Sequence, residues 1–150
     1  MADLLSKESV FFDNPSATVD EVFEFLSQKA VELGLAGDKT QLLEAFKARE
    51  SQGSTGMVGG FALPHAKSAA VSHDAVMVVK FAHELDWKSM DNKPIKAAIA
   101  ILTPADSAGA HLAVLAKIAA MLMQPAFCET ILNSQDADEV VRAINDRINE

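Results

Sequence analysis

Apolar residues return every three or four positions along several stretches of the chain. After Thr18, the residues Val19, Val22, Phe23, Leu26, Ala30 and Leu33 fall on one helical face, and Gly34 is placed to end that helix. Thr18-Val-Asp-Glu21 reads as its capping box, the hydroxyl and carboxylate satisfying N–H groups that a helix start leaves free. A second helix is expected from near Asp38, with a D-x-x-Q opening that ends at Gln41. Leu42, Phe46 and Arg49 stand at i, i+4 and i+7 of it and share a face. His111–Met123 has the same period through Leu112, Leu115, Ile118, Ala119 and Leu122. Pro125 suits the first turn of a short helix running through Leu132. Asp136-Ala-Asp-Glu139 opens a final helix with Val140, Val141, Ile144 and Ile148 facing inward.

Two runs have the pattern of buried strands. Ala75–Ala82 and Ala97–Thr103 are short, apolar and partly β-branched, and Asp91-Asn92 and Pro94 between them signal a turn. Shorter strands are expected at Ser9–Phe12 and Gly60–Leu63. Helices and strands interleave, so the expected class is α/β (α+β): a single mixed β-sheet covered by helices.

Composition narrows the functional classes. With 150 residues the chain has the length of one ordinary domain, expected over 1–150 without repeat or linker. Acids outnumber bases 21 to 13, for a net charge of −8. That disfavours nucleic-acid binding, which runs on cations neutralising phosphates, and docking on an anionic membrane. The one cysteine, Cys128, has no internal disulfide partner, which fits a reducing cytoplasm. The N-terminal segment lacks a secretory signal pattern, and no apolar run is long enough to span a bilayer.

The chemistry concentrates between Glu50 and Lys67. Four glycines (Gly53, Gly56, Gly59, Gly60) lie within eight residues there. Their loop either lets backbone N–H groups approach an anion or makes a tight connection between helix and strand. It matches neither the P-loop nor the dinucleotide fingerprint. His65 follows Pro64, whose fixed φ makes its approach rigid; the ring reads as a nucleophile or as a solvated loop histidine. His111 opens its helix and is either a core histidine or a group aimed at an anion. Arg49 stands in an apolar stripe, where a charge is costly unless paired. It either snorkels to an acid or offers its fork of donors to a phosphoryl group. His73 and His83 sit in polar surroundings. No pair of histidines has metal-ligand spacing, and no G-x-S-x-G elbow points to a hydrolase.

The run Ala48–Lys67 resembles the segment around the active-site histidine of the EIIA domains of the fructose–mannitol family (EIIA type 2). These belong to the bacterial phosphoenolpyruvate-dependent sugar phosphotransferase system. It carries the family's R-E pair, its G-S-T-G loop, and a proline-histidine followed by a small residue and a base. The segment from Thr103 through His111 and its leucine-rich helix resembles the family's second motif. Departures are small: Met57-Val58-Gly59-Gly60 replaces a commoner loop sequence, and Ala66 stands where glycine is frequent.

The resemblance implies a cytoplasmic histidine phosphocarrier. His65 would accept a phosphoryl group from the phosphohistidine of HPr and pass it to a cysteine on an EIIB domain. Membrane contact would come only through the EIIB/EIIC permease. Arg49 and His111 match positions that line the family's active site. Ser54 and Thr55 are expected as further phosphoryl donors, within a shallow, mostly apolar depression. The intermediate is a transient phosphohistidine, with no metal or other cofactor expected. Cys128 lies in an expected helix without a phosphate-cradling loop, so it reads as a buried small residue and not as an EIIB nucleophile. Fructose is the first expectation for the sugar, with mannitol or another polyol behind it. The regulatory nitrogen-type branch, which resembles the same motifs, is the alternative. A metal-binding protein, with His65, His73, His83 and His111 converging, is a third reading.

Overall fold

The computed structural model describes residues 4–107 and 110–149; the side chains of Ala110 and His111 lie outside the described set. A 3₁₀ turn at Lys7–Ser9 leads into β1 (Val10–Asn14), followed by α1 (Val19–Glu32) and α2 (Lys39–Ser51). Then come β2 (Phe61–Ala62), β3 (His65–Ser68), β4 (Ala75–Leu85) and β5 (Ile95–Pro104). Three helices close the chain: α3 (Ala110–Leu122), α4 (Pro125–Asn133) and α5 (Ala137–Ile148).

The helix starts follow their capping chemistry. Thr18 Oγ1 accepts the Glu21 N–H at 3.1 Å, and the Glu21 carboxylate accepts the Ala17 N–H at 2.9 Å, one residue beyond the expected cap. Asp38 caps α2 through the Gln41 N–H at 3.0 Å. Asp136 caps α5 through the nearer Asp138 N–H at 2.9 Å. Gly34, at φ +75°, turns the chain out of α1. The Leu35 and Ala36 N–H groups both reach back to the Ala30 carbonyl there.

The strands form the expected single mixed sheet, in the order β1-β4-β5 with β2 and β3 both on the outer edge of β5. β4 and β5 are antiparallel; β1 runs parallel to β4, and β2 and β3 parallel to β5. The strand expected at Gly60–Leu63 differs in detail. It is interrupted at Leu63-Pro64, and pairing resumes at His65. Proline has no N–H to give a ladder, but its carbonyl still accepts the Ile101 N–H at 3.0 Å. The break therefore re-aims the chain without detaching it from β5.

Alternation along β4 and β5 builds two cores. Met77, Val79, Ala98, Ala100 and Leu102 pack with Val22, Phe23 and Leu26 of α1 and Leu42 and Phe46 of α2. Val76, Val78, Ile99 and Ile101 pack with residues of α3, α4 and α5, among them Ile118, Phe127, Ile131 and Ile144. A sheet covered on both faces needs continuous apolar strands, which is why both runs were legible. Phe23 stacks on Phe46 with ring centroids 5.3 Å apart and meets Trp87 edge-on at 5.8 Å. Lys80 is a buried cation in β4. Its ammonium donates to the Ser134 carbonyl and lies over the Phe12 ring. Burial pushes its pKa down, partly offset by the charge of Asp13. No single helix among the described residues is long and apolar enough to cross a membrane.

Candidate functional site

His65 opens β3, pinned by pairing with Ile101 of β5. Its Nδ1 lies 2.9 Å from the Leu63 carbonyl, across the rigid Pro64. Arg49 reaches it from the last turn of α2. The Arg49 Nε–H donates to His65 Nε2 at 2.9 Å, and Nη1 donates to the Gly53 carbonyl at 2.9 Å. These partners assign the tautomer. A carbonyl only accepts, so Nδ1 carries the proton; a guanidinium only donates, so Nε2 carries the lone pair. The ring is a neutral imidazole with its nucleophilic nitrogen facing a cation. The apolar stripe of α2 explains the placement: Leu42 and Phe46 are buried at 0% and 1% exposure, and Arg49, one turn on, emerges at the rim.

Around this pair lies an open depression of about 380 Å³, lined also by Ala45, Ala48, Gln52 and Lys67. Only the two alanines are apolar, so the lining is mixed where the sequence led us to expect a mostly apolar surface. The polar fraction comes from Gln52, just past the end of α2, and Lys67, two residues beyond His65 on the same side of β3.

The glycine-rich loop is a tight connection in which five backbone N–H groups have acceptors within the protein. The Thr55 N–H goes to the Glu50 carboxylate at 2.9 Å, Gly56 N–H to Ser54 Oγ at 3.1 Å and Gly59 N–H to Asp91 at 3.2 Å. The Gly53 and Met57 N–H groups bond the Glu50 and Phe61 carbonyls. Ser54 Oγ donates to the Lys88 carbonyl, and Thr55 Oγ1 to Glu50 at 2.6 Å. Both hydroxyls thus brace the loop in this structure, and Thr55 is 4% exposed. The close approach at Gly56 has a backbone reason: a Cβ there would stand 2.1 Å from the Lys88 oxygen. At Asp91, burial alone would raise the carboxyl. The Gly59 and Lys93 N–H groups and the Ser89 hydroxyl outweigh it and hold the pKa below the usual range.

Of the expected residues, Arg49 and His65 come together directly. His111 lies at the start of α3, the helix that follows the strand paired with His65; its side chain lies outside the described residues. His73 and His83 are exposed. Among the described residues no group of three or more His, Cys, Asp or Glu is arranged to hold a metal ion. Cys128 is buried in α4, its thiol 3.4 Å from the Leu122 carbonyl, and burial pushes its pKa up. A thiol of that kind is a poor nucleophile.

Gln52 and Lys67 on the rim, and Glu50 and Trp87 behind it, are not among the site residues expected from the sequence. Glu50 accepts three hydrogen bonds, two from Thr55 and one from the buried Trp87 indole at 3.1 Å. The available signals were its place beside Arg49 and the fact that the chain has one tryptophan.

The family model for the phosphoenolpyruvate-dependent sugar phosphotransferase system, EIIA 2, matches residues 3–147. The chain is 34% identical over 133 residues to the fructose-specific EIIA component of Haloferax volcanii, covering 89% of this chain and 86% of that protein. It is 27% identical to the fructose-specific EIIABC component of Bacillus subtilis, over 97% of this chain but only 23% of that longer protein. Among solved structures, the nitrogen regulatory protein IIA-Ntr of Neisseria meningitidis superposes with a TM-score of 0.86 at 26% identity, over 94% of this chain and 96% of that one. Enzyme IIA-mannitol of Escherichia coli, solved in complex with phosphorylated enzyme IIB-mannitol, shares the fold. Its TM-score is 0.78 at 18% identity, over 94% of this chain and 98% of that one. The family model spans nearly the whole chain and a relative above 30% identity covers most of it, so this protein belongs to the EIIA 2 family of phosphotransfer components of the sugar phosphotransferase system.

Proposed function

We propose that this chain is a histidine phosphocarrier. His65 accepts a phosphoryl group from phospho-HPr and passes it to the cysteine of a cognate EIIB domain for uptake of a fructose-type sugar. The observation that carries this reading is the orientation of His65, with Nδ1 tied to the Leu63 carbonyl and Nε2 presented to an open depression beside Arg49. The Nε2 lone pair attacks phosphorus as the donor's N–P bond breaks, its electron pair returning to the donor imidazole. Such transition states are loose, so the protein's contribution is alignment and positive donors around the oxygens. Nε2 has one lone pair, so the Arg49 Nε–H leaves it as the donor approaches, and the guanidinium moves its donors onto the phosphoryl oxygens. Gln52 and Lys67, on the same rim, offer further donors, and His111 is assigned there by its match to the family's second motif. A thiolate on EIIB then attacks phosphorus and the N–P pair returns to Nε2. No metal or cofactor takes part, and the work is done in the cytoplasm with membrane contact only through the EIIB/EIIC permease. The fructose assignment is supported by the fructose-specific relative, matched over most of both chains.

The second reading, a nitrogen-type regulatory EIIA, is favoured by the likeness to the Neisseria protein. Intact-mass spectrometry after mixing with enzyme I, HPr and phosphoenolpyruvate at mildly alkaline pH tests both. Wild type and His111→Ala should gain one phosphoryl group and His65→Ala none. Transfer onward to a fructose EIIB supports the sugar role; uptake with no transfer to any EIIB tested supports the regulatory one. Failure of wild type to gain phosphate while HPr is phosphorylated refutes the carrier.

A further inference from the structure

We propose that Glu50 is the positioning residue of Arg49. The inference rests on the phosphocarrier reading of the Arg49–His65 pair. Arg49 and Glu50 are neighbours on the last turn of α2, about 100° apart around the helix, and so cannot point the same way. Arg49 points to His65. Glu50 points to the returning loop and accepts three hydrogen bonds there: Oε1 from Thr55 Oγ1, and Oε2 from the Thr55 N–H and the Trp87 indole N–H. Trp87 is 3% exposed and is itself fixed edge-on against Phe23. The carboxylate therefore ties the loop to a rigid point of the core. The loop in turn carries Gly53, two residues before Thr55, whose carbonyl holds Arg49 Nη1 at 2.9 Å. With Nη1 held, the planar guanidinium has one way to aim Nε at Nε2 of His65. The order of contacts is Trp87, Glu50, Thr55, Gly53, Arg49, His65, and Glu50 is the only charged acceptor along it.

A loop brace with no part in phosphoryl transfer would also cost stability when cut, so stability alone does not decide the matter. The test reads two quantities that a mere brace leaves unmoved. One is the Arg49 Nε–H resonance and its solvent exchange, read by nitrogen-15 NMR on the unphosphorylated protein. The other is the initial rate of phosphoryl uptake from phospho-HPr. Glu50→Ala removes all three bonds. It should give Arg49 the fast exchange of a free arginine and lower the uptake rate on the order of tenfold to a hundredfold, as for a misaligned reacting pair. Glu50→Gln keeps an oxygen for the Thr55 and Trp87 N–H groups and should retain most of the rate. Trp87→Phe keeps an aromatic ring without the indole N–H, so it deletes one bond and should give a smaller effect of the same kind. It also decides the matter by the same two readouts if Glu50→Ala does not fold. Arg49 exchange and uptake rate equal to wild type in a folded Glu50→Ala, or in Trp87→Phe should that variant decide, overturn the proposal whatever the change in melting temperature. Wild type that takes up no phosphoryl group refutes the carrier reading instead, and the Arg49 resonance still decides the positioning role.

Discussion

Gly56→Ala is the substitution whose effect follows most directly from the geometry. A Cβ at position 56 would stand 2.1 Å from the Lys88 oxygen, 2.9 Å from the Lys88 carbonyl carbon and 3.0 Å from Ser89 Cα. All three are backbone atoms, so no side chain can swing aside. Carbon–oxygen contact needs more than 3 Å, so the two segments must part by roughly 1 Å. Overpacking of this kind costs typically 1–3 kcal/mol. Parting the segments also strains the Ser54 Oγ bond to the Lys88 carbonyl and the Met90 N–H bond to the Met57 carbonyl, which together add about 1 kcal/mol or more. We expect a loss of about 2–4 kcal/mol, or a melting temperature lower by roughly 5–15 °C for a domain of this size. Uptake of phosphate should fall as well, because the displaced loop carries the Gly53 carbonyl that holds Arg49. Thermal and urea unfolding with Gly37→Ala as control measures it. A Cβ at Gly37 meets nothing within 4 Å, and its φ lies outside the left-handed region, so that variant should be neutral or slightly stabilised. A Gly56→Ala protein that melts within a degree of wild type would refute the reasoning.

Arg49→Lys should fold normally but lose on the order of a hundredfold in uptake rate, because one ammonium cannot hold the Gly53 carbonyl and aim at His65 Nε2 at once; single-turnover mass spectrometry reads it. Asp91 has a folded pKa below its ordinary 3.8, so its contribution is full above that value and is lost as pH falls through the lower folded one. Asp91→Asn should accordingly flatten the loss of stability below about pH 4, measured by urea unfolding across pH. Thr18→Ala removes the α1 cap and should cost about 1 kcal/mol, or roughly 2–4 °C in melting temperature, with phosphoryl uptake unchanged.

The helices and the two long strands were legible because each is written in local terms: a capping residue, an apolar period, a closing glycine. The sheet order was not, since nothing in the sequence of β2 or β3 records that both pair with β5. The split at Pro64 was hidden for a related reason. A proline in an apolar run signals an interruption, yet here its carbonyl keeps the ladder going and His65 starts a strand of its own. At the site, Arg49 stood out because a charge in an apolar stripe requires an explanation. Glu50 did not, because a glutamate on an exposed helix end has none to give. Ser54 and Thr55 are expected as phosphoryl donors from the family resemblance, and the acceptors they have in this structure, Lys88 and Glu50, are fixed only by the tertiary fold.

The tautomer of His65 links the two halves of the proposed relay. A phosphoryl group on Nε2 leaves readily when the departing ring leaves as neutral imidazole, and poorly when it must leave as imidazolate. The difference is set by the proton on Nδ1. The Leu63 carbonyl, 2.9 Å away, has no proton to offer and accepts one hydrogen bond from this nitrogen, so it holds the proton there in both states. Pro64 keeps that carbonyl in place, because its locked φ fixes how the chain rises from Leu63 to His65. On this account the proline before the histidine serves both transfers. Capture needs the Nε2 lone pair, which the neutral ring offers only while Nδ1 carries the proton, and release to a thiolate needs that same proton to stay while the ring carries phosphate. Replacing Pro64 by alanine should then slow both capture from phospho-HPr and the onward step to EIIB, read by single-turnover mass spectrometry on the folded variant. Wild-type rates for both steps in a folded Pro64→Ala protein would refute the proline's part in holding the tautomer.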